Sequence, residues 1–147
     1  MDWVLNLIPE KVDSIMGFTQ KVQWWDVTNE DEVESIIKFK NGAVANIQLS
    51  SVSSAPKPRW RILGSKGGIL DEGKGFIKVI RGGEKGGGLE LKYKETNQKE
   101  YYINIPDHLL LGDSLAITPE SARRVISVIE TTGKSALSEE IEKPVFE

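Results

Sequence analysis

Polar and apolar residues alternate with period two through much of the chain, the spacing of half-buried strands whose successive side chains point to opposite faces. Pro9 ends a short opening helix with the apolar stripe Trp3, Val4 and Leu7. Val12 to Val22, rich in β-branched and aromatic residues, reads as a long first strand. After a polar loop, Val33, Ser35, Ile37 and Phe39 alternate with Glu32, Glu34, Lys38 and Lys40. Asn41-Gly42 then reverses the chain, since both residues tolerate positive φ, and Ala43, Ala45, Ile47 and Leu49 alternate with Asn46, Gln48 and Ser50. The two stretches predict a hairpin.

Ser50 to Pro58, with its serines and prolines, is a turn-rich connection, and Arg59 to Leu63 resumes an extended pattern. Ile69 to Asp71, Phe76 to Ile80 and Leu89 to Tyr93 follow as short strands separated by the glycine-rich turns 72–75 and 82–88, the spacing of an antiparallel meander. Glu100 to Leu111 fits two patterns: Tyr101, Ile103 and Ile105 suit a strand, whereas Tyr102, Ile105 and Leu109 suit a helix interrupted at Pro106. A helix from about Asp107 is the expectation. Thr118-Pro119-Glu120 is a strong helix start, with a side-chain cap, a proline where the missing N–H is harmless, and an acid favoured by the helix dipole. Ala122, Val125, Ile126 and Ile129 predict the face that packs on the sheet, with Arg123, Arg124 and Glu130 outward and Gly133 as the stop. The pattern as a whole predicts an α+β fold. Its frame is a large, mainly antiparallel open sheet with helices on one face, in one domain spanning residues 1–147.

Composition narrows the function. The 19 basic and 22 acidic residues are interleaved, for a net charge of −3, with no basic stripe of the kind nucleic acid requires. With no cysteine there is neither a disulfide framework nor a thiolate metal site, and one histidine leaves carboxylates as the abundant metal ligands. No apolar run approaches the ~20 residues that span a bilayer, and no basic start precedes one. A cytoplasmic protein, without membrane or nucleic-acid partners, is expected. The opening helix lacks a good cap, with only Asp2 to serve, so the chain is expected to be part of something larger.

The candidate chemistry is sparse. Neither Gly64 to Gly68 nor Gly82 to Gly88 opens a helix as a phosphate-binding glycine motif does, and both read as turns, so no cofactor domain is expected in this chain. A general base needs an orienting partner, and Asp107, adjacent in sequence, would point elsewhere on a helix, so His108 reads as a surface or capping residue. Glu30, Asp31, Glu32 and Glu34 lack the loop of a calcium site and read as strand-edge solvation. Trp24 and Trp25 are the candidate substrate-binding pair, because indole faces stack on sugar rings while their N–H groups keep a polar handle; packing in a core or interface is the competing reading. The outward row Glu34, Lys38, Asn46, Gln48 and Ser50 suits a solvated face, a ligand floor or half of a subunit interface.

Taken in order, four segments carry a resemblance: Asp2 to Leu5; Glu30-Asp31-Glu32 followed by Phe39 to Ala43; Ile62 to Ile69; and Leu115 to Ile126 running on to Glu130. The chain resembles, over nearly its full length, the C-terminal domain of the glucose-fructose oxidoreductase, inositol dehydrogenase and MocA (Gfo/Idh/MocA) family. The resemblance implies the glyceraldehyde-3-phosphate dehydrogenase-like C-terminal fold, with a substrate pocket and a homo-oligomer formed through the open sheet face. It also implies NAD or NADP held by an N-terminal Rossmann domain of the full-length protein, with a hydride exchanged with a sugar, inositol or related polyol. Asp2 matches the acid of the family's H-x-x-D step, so the chain is expected to begin just past the catalytic histidine. No catalytic or cofactor-binding residue can be carried over, and the isolated chain is expected to be inactive. Glu142-Lys143-Pro144 spells the family's catalytic-lysine tripeptide in the wrong setting, after polar residues, and is read as an edge segment tucking back onto the domain. The alternative is a stand-alone carbohydrate-binding or protein-interaction module built on the same sheet.

Overall fold

In chain order the elements are α1 (Asp2–Leu7), β1 (Val12–Gln20), β2 (Glu32–Phe39), β3 (Val44–Ser50), β4 (Trp60–Gly64), β5 (Gly67–Asp71), β6 (Phe76–Arg81), β7 (Leu89–Lys92), α2 (Gln98–Leu111) and α3 (Pro119–Ser138). The computed structural model describes residues 1–83 and 87–147, so part of the expected turn over 82–88 lies outside the described residues. Every strand pairing is antiparallel, in sheets ordered β1-β2-β3 and β4-β5-β6-β7. The α+β, antiparallel class holds, with its strands shared between two sheets. The chain divides into two units, Met1–Ser53 with Gly112–Glu147 and Ser54–Leu111.

The first unit is the β1-β2-β3 sheet with α1 and α3. Its β2-β3 hairpin forms where the alternation places it, but through a different turn. Phe39 N–H donates to the Ala43 carbonyl (2.9 Å), Gly42 N–H to the Phe39 carbonyl (2.9 Å), and Gly42 has φ +85°. Asn41 keeps negative φ and its Oδ1 instead accepts the Ala43 N–H at 3.0 Å. This is a three-residue loop closed by a left-handed glycine, and only that glycine needs the left-handed region. At the start of β1 the register shifts between Val12 and Ser14, so Val12 and Ile15, three residues apart, are both buried. Ile15, Ile37, Phe39 and Val128 are fully buried and form the centre of this unit's core.

α3 packs on β1, but not through the face its aliphatic residues predict. Ser127, Val128, Thr131, Thr132 and Ser135 are buried, whereas Ile126 and Ile129 remain 54% and 49% exposed. The reason is close approach. A Cβ on Gly17 of β1 would lie 2.1 Å from the Thr132 carbonyl oxygen, so glycine faces a helix stripe of small side chains there. The buried hydroxyls are satisfied locally: Thr131 donates to the Ser127 carbonyl (2.7 Å), Thr132 to the Val128 carbonyl (2.9 Å), and the Thr132 and Ser35 hydroxyls pair at 2.9 Å. Buried polar groups cost little stability when hydrogen-bonded in this way. Thr118 caps α3 as expected, accepting the Ser121 N–H at 3.1 Å. Gly133 does not stop the helix, which runs to Ser138 and ends at Glu139 with φ +57°.

The last residues close the outer edge of β1. Ile15 and Glu142 exchange backbone hydrogen bonds of 2.8 and 3.0 Å, Gly17 N–H donates to Ser135 Oγ (2.9 Å), and Val12 N–H donates to Glu147 Oε2 (2.8 Å). Arg124 pairs with the same Glu147 oxygen at 3.2 Å, and Arg123 lies over the Phe146 ring. Glu142-Lys143-Pro144 thus lies in a segment folded back on a strand edge, blunting an otherwise open ladder.

In the second unit the four-stranded meander is joined to α2, which begins at Gln98 and not at Asp107. Asn97 Oδ1 accepts the Lys99 N–H at 3.1 Å, a cap that starts the helix ahead of Pro106. Proline removes one intrahelical bond without ending the helix here. No residue of α2 is buried, and His108 lies on it, exposed.

Candidate functional site

The candidate pair lies in the connection between β1 and β2, and the structure shows what shapes it. Asp31, at the foot of the loop, is 2% exposed. Its Oδ2 accepts the consecutive backbone N–H groups of Val22, Gln23 and Trp24 at 3.0, 2.5 and 3.0 Å. Such a run of N–H groups around one anion is a backbone nest. The Asp31 backbone ties the loop to the sheet, its N–H donating to the Gln20 carbonyl (3.2 Å) and its carbonyl accepting the Ser51 N–H (2.9 Å). Lys21 Nζ donates to the Val27 carbonyl across the loop. The Trp24 N–H, followed by those of Gln23 and Val22, holds the Asp31 carboxyl below its ordinary range against the opposing effect of desolvation.

Held this way, Trp24 and Trp25 are 44% and 71% exposed. They are not core residues. Two adjacent indoles on a tethered loop offer flat apolar faces and N–H donors, the equipment for stacking on a ring or covering an apolar partner. Asp31 was misassigned by the pattern reading: it is a buried anchor, not edge solvation. The signal for it is chemical, since short acidic side chains capture nearby backbone N–H groups in turns.

The outward row on the first sheet is knitted together. Glu34 Oε1 accepts from Asn46 Nδ2 (2.9 Å) and Gln48 Nε2 (2.8 Å), Ser50 Oγ donates to Glu32 Oε1 (2.8 Å), and Lys38 lies 3.7 Å from Asp13. Phe18 and Ile36 are exposed on the same face. The face therefore combines a fixed polar lattice with apolar islands, the mixture found in subunit interfaces.

In the second unit a hollow of about 270 Å³ lies on the β5-β6-β7 face, lined by Leu70, Glu72, Lys74, Phe76, Lys78 and Glu90. Glu72 and Lys74 pair across it at 2.7 Å. Asp71 is buried and accepts the Tyr93 hydroxyl and the Gly73 N–H (2.7 Å). The Tyr93 hydrogen bond, then the Gly73 N–H and the Arg59 charge, lower the Asp71 pKa against desolvation, and the same carboxylate raises that of Tyr93. Among the described residues no cluster of three or more His, Cys, Asp or Glu is placed to hold a metal, and no helix is long and apolar enough to cross a membrane. The glycines of the β4–β5 turn join antiparallel strands and open no helix, so this turn does not have the form of a dinucleotide phosphate loop.

Comparison with known proteins gives a partial family match and a shared fold. Residues 1–70 match the GFO/IDH/MocA C-terminal domain. A Klebsiella pneumoniae protein provisionally assigned to the oxidoreductases superposes with a TM-score of 0.84 at 16% identity, over 99% of this chain and 47% of its own. The aldose-aldose oxidoreductase of Caulobacter crescentus, solved with glycerol, superposes with a TM-score of 0.77 at 17% identity, over 97% of this chain and 44% of its own. For the WlbA dehydrogenase of Bordetella pertussis, solved with NADH and UDP-GlcNAcA, the TM-score is 0.73 at 16% identity, over 98% of this chain and 41% of its own. The chain spans about half the length of these structures. No curated protein matches its sequence. Residues 1–70 are thus similar to the GFO/IDH/MocA C-terminal domain, and nearly the whole chain has the fold of the matching part of these oxidoreductase structures.

Proposed function

We propose that residues 1–147 are the substrate-binding and oligomerisation domain of an NAD(P)-dependent oxidoreductase acting on a sugar, inositol or related polyol, with the nicotinamide cofactor held by an N-terminal domain outside this chain. The observation that carries the reading is one of extent. Nearly the whole chain superposes on less than half of each oxidoreductase compared, so its fold corresponds to one of two parts. Glycerol in one relative and a nucleotide sugar in another support a hydroxyl-rich substrate. In this reading the chain binds and orients substrate, with Trp24 and Trp25 as contacts. The hydride and proton steps belong to groups upstream, and the isolated chain does not catalyse. The polar lattice around Glu34, with Phe18 and Ile36, is the surface through which two copies associate.

Isothermal titration of this chain with NAD and with NADP, repeated on a version carrying the upstream coding sequence, tests the assignment. Binding is expected only to the longer version; tight binding by the shorter one overturns the division of labour. The exposure of Trp24 and Trp25 also supports a second reading, a free-standing carbohydrate-binding module. Sugar titration followed by tryptophan fluorescence tests that reading, which fails if Trp24→Ala and Trp25→Ala leave a measured affinity intact.

A further inference from the structure

We propose that Asp31 is the positioning residue of the Trp24–Trp25 pair, its carboxylate fixing the loop backbone in the one path that keeps both indoles turned to solvent. As a statement about ligand binding this rests on the reading of Trp24 and Trp25 as substrate contacts; as a statement about loop geometry it stands on its own.

Burying apolar surface is favourable, and two neighbouring indoles are the largest apolar groups in this connection, so a free loop would lay them against the sheet. They remain 44% and 71% exposed. The restraint is visible: one carboxylate oxygen accepts three consecutive backbone N–H groups, the third belonging to Trp24 itself. Fixing that amide fixes the Trp24 N–Cα bond and narrows the directions open to its Cα–Cβ bond. Hydrogen bonds to an ionised acceptor are roughly twice as strong as neutral ones, and three converge here. The anchor is itself rigid, because the Asp31 backbone is bonded both to Gln20 at the end of β1 and to Ser51 just beyond β3.

The test uses Asp31→Ala and Asp31→Asn in the intact chain, each checked for folding by far-ultraviolet circular dichroism. The chain has four tryptophans, and their indole N–H resonances are assigned with Trp24→Phe and Trp25→Phe. The expected result is that Asp31→Ala moves and broadens the Trp24 and Trp25 resonances while those of Trp3 and Trp60 stay in place, with Asp31→Asn intermediate because it keeps one acceptor oxygen without the charge. A general loss of structure would move all four, and that pattern, or unchanged Trp24 and Trp25 signals, overturns the proposal. If the alanine variant does not fold, the asparagine variant decides by the same criterion. Titration with D-glucose and with myo-inositol separates the two readings. Affinity weakened about 3- to 10-fold in Asp31→Ala, the scale of one aromatic contact, supports both. Indole shifts in a protein that binds neither sugar support the positioning role and overturn the ligand assignment.

Discussion

At the scale of single residues, stability in this chain is set by a few carboxylates with unusual surroundings. Asp31 has its pKa lowered, chiefly by the Trp24 N–H. A carboxylate with a depressed folded pKa stabilises above its unfolded range, and that contribution is lost as the pH falls through the folded value. The loop should therefore keep its neutral-pH tryptophan spectrum through the ordinary carboxylate range and change only in stronger acid; Asp31→Asn should abolish that transition in an acid titration of fluorescence. Tyr93 shows the opposite sign. Its pKa is raised, first by the hydrogen bond to Asp71, so its contribution is complete below the usual tyrosine range and lost as the pH rises through the folded value. Alkaline titration of tyrosinate absorbance should show one late-ionising group that is absent in Tyr93→Phe. Neither partnership is legible in sequence, because Tyr93 and Asp71 come from different strand ends and Asp31 sits inside an acidic run resembling a solvated edge.

At the scale of elements, local rules placed most boundaries and failed on one orientation. The hairpin at Asn41-Gly42 and the capped start of α3 follow from side-chain chemistry within a few residues, and Thr118→Ala should cost about 1 kcal/mol in chemical denaturation. The orientation of α3 does not follow from local chemistry. Its aliphatic residues suggest one face, yet the buried stripe is Ser127, Val128, Thr131, Thr132 and Ser135, because β1 offers Gly17 and the two backbones come close. Two glycine substitutions separate these effects. Gly17→Ala places a methyl against the Thr132 carbonyl and should destabilise by about 1–3 kcal/mol, read as a lower urea midpoint with an unchanged slope. Gly133→Ala, inside the helix with open space around its Cβ position, should stabilise by about 0.5–1 kcal/mol. α2 was placed too late because Pro106 was weighed as a boundary, while the Asn97 cap ahead of it carried more weight.

At the scale of the whole molecule, nearly the whole chain superposes on less than half of each oxidoreductase compared, and the outer face of the first sheet leads to the remaining prediction. The first sheet presents Phe18 and Ile36 beside hydrogen-bonded polar rows. Sedimentation velocity should show a concentration-dependent dimer, and Phe18→Asp should shift it towards monomer while leaving the far-ultraviolet circular dichroism spectrum unchanged. A monomer at high concentration would remove oligomerisation from the proposed role.

Sequence by itself determined the antiparallel α+β class, the positions of the strands, the hairpin, the capped helix start and the family resemblance. All of these depend on periodicity, turn chemistry or motif order within short windows. Tertiary structure alone decided which face of α3 is buried, that β1 is sealed by Glu142 and Glu147, and that Asp31 and Asp71 are buried anchors. The physical reason is common to all three. Each depends on how the folded backbone comes together, across distant segments for α3 and β1 and within one folded loop for Asp31, where a missing Cβ, a spare N–H or a returning carboxylate outweighs the hydrophobicity of any one position.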